Sequence, residues 1–267
     1  MQYTIRHETR CHFDSPASYS IRNLRITPRE EAGLRVTNWH VSTPARSRRS
    51  VDAWGNTTHL LTLTEPHEEV RIVVTGVVDV PDNTNAILGR EGSTIAPEIF
   101  LATTRLTEPG AELIAFALSS LAPPQHTIPG VLACLEHLRQ VVRPAPSSGD
   151  ALRGAVASFD RHSANLPDTV HLLLAICRAA GLPARFVSGY QLVDKPSEYA
   201  WADVWLEDAG GWVSFDVRRA RLANGCQVRL AVGRDYLDAC PMRAAHQAGG
   251  TRKCASRSVR RHETSHD

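Results

Sequence analysis

From residue 2 to about residue 82, apolar and polar residues alternate in short runs broken by turn formers, and beyond about residue 98 the apolar spacing lengthens to three and four. Residues two apart share one face of a strand, whereas residues three and four apart share one face of a helix. This change of period confines the chain to a β-rich first part and a later part that includes helices. The runs YTIRHETRCHF, YSIRNLRITP, LRVTNWHVSTP, THLLTLTEP and VRIVVTGVVDV predict an antiparallel β-sandwich of five to seven strands over residues 1–82. Turn formers at 14–18 (DSPAS) and 52–56 (DAWGN) separate strands of this set.

A turn-rich linker is expected over residues 83–98, followed by helices in AELIAFALSSL and GVLACLEHLRQVV and a loop at 145–150. Asp168 is the expected N-cap of a helix from about Thr169 to Ala180, stopped by Gly181 with Pro183 beyond. The segments ARFVSGYQLV, YAWADVWLE and GWVSFDVRRA read as strands, the last two joined by a hairpin at 210–211. Residues 99–245 therefore form a helix-plus-antiparallel-sheet domain, and the whole chain is of the α+β class.

An apolar share of 42% and a charged share of 22% are those of a folded globular protein. With a formal net charge of +2, the chain lacks the basic footprint of a nucleic-acid binder. The exception is residues 246–267, whose basic, apolar-poor end from Thr251 is expected to be a disordered tail. The first residues lack the apolar core of a signal peptide, and no stretch approaches the roughly 18 apolar residues of a membrane span, so a cytoplasmic protein without membrane contact is expected. Six scattered cysteines without a CxxC pair imply reduced thiols rather than a disulfide framework or zinc site. None of the twelve histidines has HExxH spacing, so no metal and no cofactor are expected.

Three phrases are less generic: HLLLAICRAAGLPARFVSGY (171–190), YAWADVWLEDAGGWVSFD (199–216) and VRLAVGRDYLDACPMR (228–243). In order and spacing they resemble the bacterial transglutaminase-like family, of the papain-type fold, and the β-rich first part with its DAWGN turn is similar to that family's N-terminal domain. The resemblance extends over about residues 2–244. It implies an active site in which a cysteine at a helix start attacks an amide carbonyl, a histidine keeps the thiol ionised and protonates the leaving amine, and an aspartate orients the imidazole.

Carried onto this chain, the family's cysteine position falls on Leu166, its histidine on Tyr199 and its aspartate on Asp216. Leucine has no nucleophile, and a phenol with an ordinary pKa near 10 is a poor general base. No register shift of one to three residues brings a cysteine to the Leu166 position. The expectation is a pseudoenzyme that keeps its cleft as a partner surface or a pocket for a peptide-like ligand, with Asp168, His171, Tyr190 and Trp201 as candidate ligand contacts. The resemblance also implies an ATP-grasp or α-E type protein as partner. Two readings stay open beside it. One is an enzyme that uses Asp168, His171, Tyr199 or Asp216 for hydrolysis or peptide-bond formation, and the other has Cys226 as a nucleophile arriving from elsewhere.

Overall fold

The structure is a computed structural model. It describes the chain except for residues 31–32, 81–85, 91–94, 147–151, 193–196, 224–226, 249–251 and 263–267. Most of the 145–150 loop, Cys226 and parts of the 83–98 linker thus lie outside the described residues.

Five strands form in the first part, β1 (Gln2–Leu24), β2 (Arg35–Ser42), β3 (Arg48–Val51), β4 (Thr57–Leu63) and β5 (His67–Asp79), in the order β2-β5-β1-β4-β3. The length of β1 organises them. Its pairing with β5 shifts register between His12 and Ala17, across Pro16, which has no N–H to give a ladder. Beyond the shift, β1 pairs with β4. The two halves of the sheet face each other, with Leu24 and Leu61 packed against Val70, Ile72 and Val74. The expected sandwich is one hydrogen-bonded sheet turned back on itself.

Two expectations are overturned at the other edge of β1. Instead of a disordered tail, residues from 242 onward supply β14 (Met242–Ala248) and β15 (Arg252–His262), both antiparallel to β1. An edge strand contributes backbone bonds and needs no apolar face, so a polar composition does not forbid it, while β1 unpaired would expose a row of N–H and C=O groups. Nor are all the thiols reduced: Cys11 stands opposite Cys254 in this ladder and the two form a disulfide across 243 residues of sequence.

In the second part, α1 (Ala111–Leu121), α2 (Ile128–Val141) and α3 (Ala155–Asp160) surround α4 (Leu166–Ala179), and the short strands β7 (Arg143–Pro144) and β8 (Ser163–Ala164) pair in parallel. The sheet beneath α4 comprises β9 (Ala184–Gln191), β10 (Ser197–Leu206), β11 (Gly211–Asp216), β12 (Arg221–Leu222) and β13 (Gln227–Gly233), ordered β12-β11-β10-β9-β13. The linker also contributes a strand, β6 (Ile87–Gly89), which pairs with β11. A last short helix, α5 (Tyr236–Ala239), is capped by the Asp235 side chain.

Helix α4 is buried around most of its circumference, from Val170 to Arg178, which suits a helix enclosed in a core. It begins earlier than expected because Asn165, rather than Asp168, caps it by accepting from the Asp168 N–H at 3.0 Å. Asp168 lies inside the first turn and its carboxylate accepts from Arg153 N. Ala200, Ala202, Val204 and Leu206 of β10 share a core with α4. On the opposite face Tyr190, Leu192, Val228 and Leu230 pack against Tyr3, Ile5 and Val78 of the first sheet. The site lies at the end of α4 where these layers meet.

Candidate functional site

Three elements deliver the positions singled out from sequence. Leu166 is the first residue of α4, Tyr199 lies in β10, and Asp216 ends β11, the antiparallel neighbour of β10. Tyr199, Trp201, Val187 and Val232 form a small apolar cluster, and Leu166 packs against it from the helix side. The place where a thiolate would need a polar, ionising environment is therefore filled by hydrocarbon packed on an apolar cluster.

Asp216, which has a phenol in place of the family's imidazole, has partners. It is fully buried, and its Oδ1 accepts from the Tyr199 hydroxyl at 2.7 Å. The Arg219 Nη1 donates to Asp216 Oδ2 at 3.1 Å and to the Tyr199 oxygen at 3.0 Å. Arg219 N also donates to Oδ1 at 3.2 Å, and its guanidinium carbon stands 5.6 Å from the Tyr199 ring centroid. Carboxylate, phenol and guanidinium close a triangle, and a buried carboxylate held by a guanidinium is satisfied without an imidazole.

The Tyr199 phenol is pushed well above its ordinary range, first by burial and then by its hydrogen bond to Asp216. It remains protonated at neutral pH and neither attacks as phenolate nor takes up a proton. Arg219 was not among the sequence-derived candidates.

The roof of the site comes from the first part of the chain and was missed as well. Asp52 accepts from the N–H groups of Trp54 and Asn56, both at 2.9 Å, which sets the DAWGN turn, and Arg25 donates to its other oxygen at 2.8 Å. Asn56 is fully buried and exchanges two hydrogen bonds with Val232 of β13, at 2.8 and 2.9 Å. This clamp carries Trp54 onto the Tyr199–Trp201–Val187 cluster. Arg234 stands 5.3 Å over the Trp54 ring and pairs with Asp238 at 3.2 Å.

The remaining candidates are spread over different surroundings. Trp201 belongs to the site cluster, its ring lying so close to Gly189 that a Cβ there would stand 2.6 Å from it. Tyr190 is buried in the seam between the two sheets, 5.5 Å from the His7 ring. Asp168 and His171 lie 3.7 Å apart within α4, both without solvent exposure, and His171 Nε2 accepts from Tyr236 N at 3.1 Å. Trp205 and Trp212 stack edge to face on each other, with Arg185 over Trp212. Of the free thiols described, burial pushes Cys134 up to about 12, Cys240 up to about 11 and Cys177 well above its ordinary value. Among the described residues no cluster of three or more His, Cys, Asp or Glu side chains is suited to a metal ion, and no helix is long and apolar enough to cross a membrane.

Comparison with known proteins places this geometry. Residues 3–79 match the bacterial transglutaminase-like N-terminal region, and residues 120–217 match the transglutaminase-like superfamily. An uncharacterised protein of Mycobacterium leprae is 25% identical over 271 residues, spanning 92% of this chain and 93% of its own length. A protein-glutamine gamma-glutamyltransferase of Pseudomonas aeruginosa is 28% identical over 138 residues, which make up 45% of this chain and 20% of that protein. Among solved structures, a candidate cysteine protease from Cytophaga hutchinsonii superposes with a TM-score of 0.78 at 19% identity, over 100% of this chain and 92% of that one.

Proposed function

The chain belongs to the transglutaminase-like superfamily, with a bacterial transglutaminase-like N-terminal region ahead of its core, and from that membership we propose that it acts as a pseudoenzyme, a scaffold or ligand-binding protein without acyl-transfer activity. The observation that carries the proposal is the Tyr199–Asp216–Arg219 triangle beside Leu166. Acyl transfer in this fold class needs a sulfur anion and an imidazole next to the carboxylate. Here the carboxylate is already engaged by a phenol and a guanidinium, and the nucleophile's place is apolar. Loss of a single group of such a triad lowers the rate by about four to six orders of magnitude.

The test is incubation of the purified protein with glutamine-containing and isopeptide substrates, with and without an amine acceptor. We expect no turnover above the uncatalysed rate and no covalent acyl adduct by mass spectrometry. Turnover that disappears in Asp168→Ala or Tyr199→Phe would establish instead an enzyme with non-standard groups. A non-catalytic role implies a partner, and an ATP-grasp or α-E type protein is the expected one. Co-purification from the native host checks this, and recovery of the chain alone would count against it.

A further inference from the structure

Strands β2 and β3 are the two ends of the folded first sheet: among the described residues β2 pairs with β5 alone and β3 with β4 alone. The sandwich is open along that seam, and the seam holds a cavity of about 480 Å³. This is the size range of small-molecule sites, and it borders the DAWGN turn at Gly55, whereas Trp54 of the same turn packs on the cluster around Leu166.

The two walls differ in chemistry. One is apolar, made by Val36, Val41 and the Trp39 ring. That ring is fixed at both ends. Its Nε1 donates to Ile26 O at 2.9 Å, and it lies on Gly76, where any Cβ would stand 2.2 Å from Trp39 Cε3. The other wall carries Arg49, Thr57 and His59. Burial and the Arg49 charge hold the His59 pKa below its ordinary value, so it stays neutral, and its Nε2 is engaged with Thr27 Oγ1 at 2.8 Å. Arg49 is an exposed residue of β3 whose side chain borders the cavity. Among the described residues of the lining, Arg29 adds a second guanidinium and Glu30 is the one carboxylate, accepting from Val36 N at 3.1 Å.

A rigid aromatic wall and a guanidinium, in a lining whose described residues hold more cations than anions, select a flat apolar body that ends in an acid. We propose that this groove is a binding site for a small planar organic carboxylate, its acid on Arg49 and its ring against Trp39. The site is separate from the cleft at α4. It is nonetheless joined to it, because Arg29 Nη1 donates to Trp54 O at 3.0 Å and to Asn56 Oδ1 at 2.9 Å, the residues that roof the cleft and clamp it to β13.

Titration calorimetry of the full chain with naphthalene-2-carboxylate and with naphthalene-2-carboxamide, a neutral probe of the same shape, tests the proposal. The carboxylate is expected to bind about tenfold more tightly, as one charge-assisted contact provides, and Arg49→Gln is expected to remove that advantage while Arg49→Lys retains part of it. Because Arg49 is exposed on a sheet edge, circular dichroism should be unchanged in both variants. Equal affinity for the two probes, an Arg49→Gln variant that binds the carboxylate as the wild type does, or no heat at millimolar probe would each overturn it.

Discussion

At the scale of single residues, the change that separates this chain from a thiol enzyme is small in number and large in effect. Leu166 occupies the first turn of a 14-residue helix, where unpaired N–H groups and the helix dipole lower the pKa of a cysteine. Leu166→Cys is therefore expected to gain one thiol that iodoacetamide labels rapidly at neutral pH. The described wild-type thiols at Cys134, Cys177 and Cys240 are buried and hold their protons, so they should label slowly. Peptide mapping of the alkylated variant distinguishes the sites, and a residue 166 no faster than the buried thiols would mean that the helix start is sealed. Catalysis should not return with the thiol alone, because Tyr199 and Arg219 still occupy the Asp216 carboxylate. Much of this was legible in the chain, since Leu166, Tyr199 and Asp216 fall in counted positions of recognisable phrases. Arg219 was not, since a guanidinium three residues past an aspartate gives no sign in sequence of which way it turns.

Among elements, the turn between β3 and β4 links the two parts of the molecule more than its length suggests. Asn56 receives or gives hydrogen bonds at Arg29, Asp52 and Val232 at once. Replacing a buried amide of this kind leaves several partners unmatched, and Asn56→Ala is expected to cost about 2–4 kcal/mol of stability by urea unfolding. Trp54 should loosen with it, seen as a red-shifted tryptophan emission already in native buffer; an unshifted spectrum would show that the Trp54 ring is held by its apolar contacts instead. Period and turn residues revealed the turn itself, β4 after it and the helices α1 and α2, but not the short polar β3 before it, and the turn expected at 14–18 is a register shift inside the single strand β1. They did not reveal where the turn docks, because a contact from Asn56 to Val232 leaves no local trace. Helix α4 marks the same boundary: its existence follows from apolar spacing, but Asn165 caps its start while the expected cap, Asp168, lies inside the first turn with its carboxylate accepting from Arg153 N.

For the whole molecule, the first and last described strands are neighbours. Strand β15 runs along β1 from Tyr3 opposite His262 to Phe13 opposite Arg252, and composition hid it because an edge strand has no need of buried residues. The Cys11–Cys254 bond was equally invisible, for spacing alone does not pair cysteines so far apart. A link across so long a segment restricts the unfolded chain strongly, and Cys254→Ser is expected to lose about 2–5 kcal/mol, read as a lower urea midpoint relative to the unreduced wild type. The same loss should appear in wild type treated with reductant, and the absence of both would mean that β15 is held by its ladder alone. Such bonds persist in oxidising surroundings, which sets this one against the cytoplasmic expectation. A mechanical consequence follows. If β1 and β15 are pulled from the sides of the pair at Gln2 and His262, the force passes from Cys11 straight to Cys254, so only the ladder outside the pair, Gln2–Arg10 of β1 and Ala255–His262 of β15, can pay out. The half of β1 beyond Cys11, the second sheet and the α4 bundle lie inside the bridge and carry no load for as long as the sulfurs stay joined.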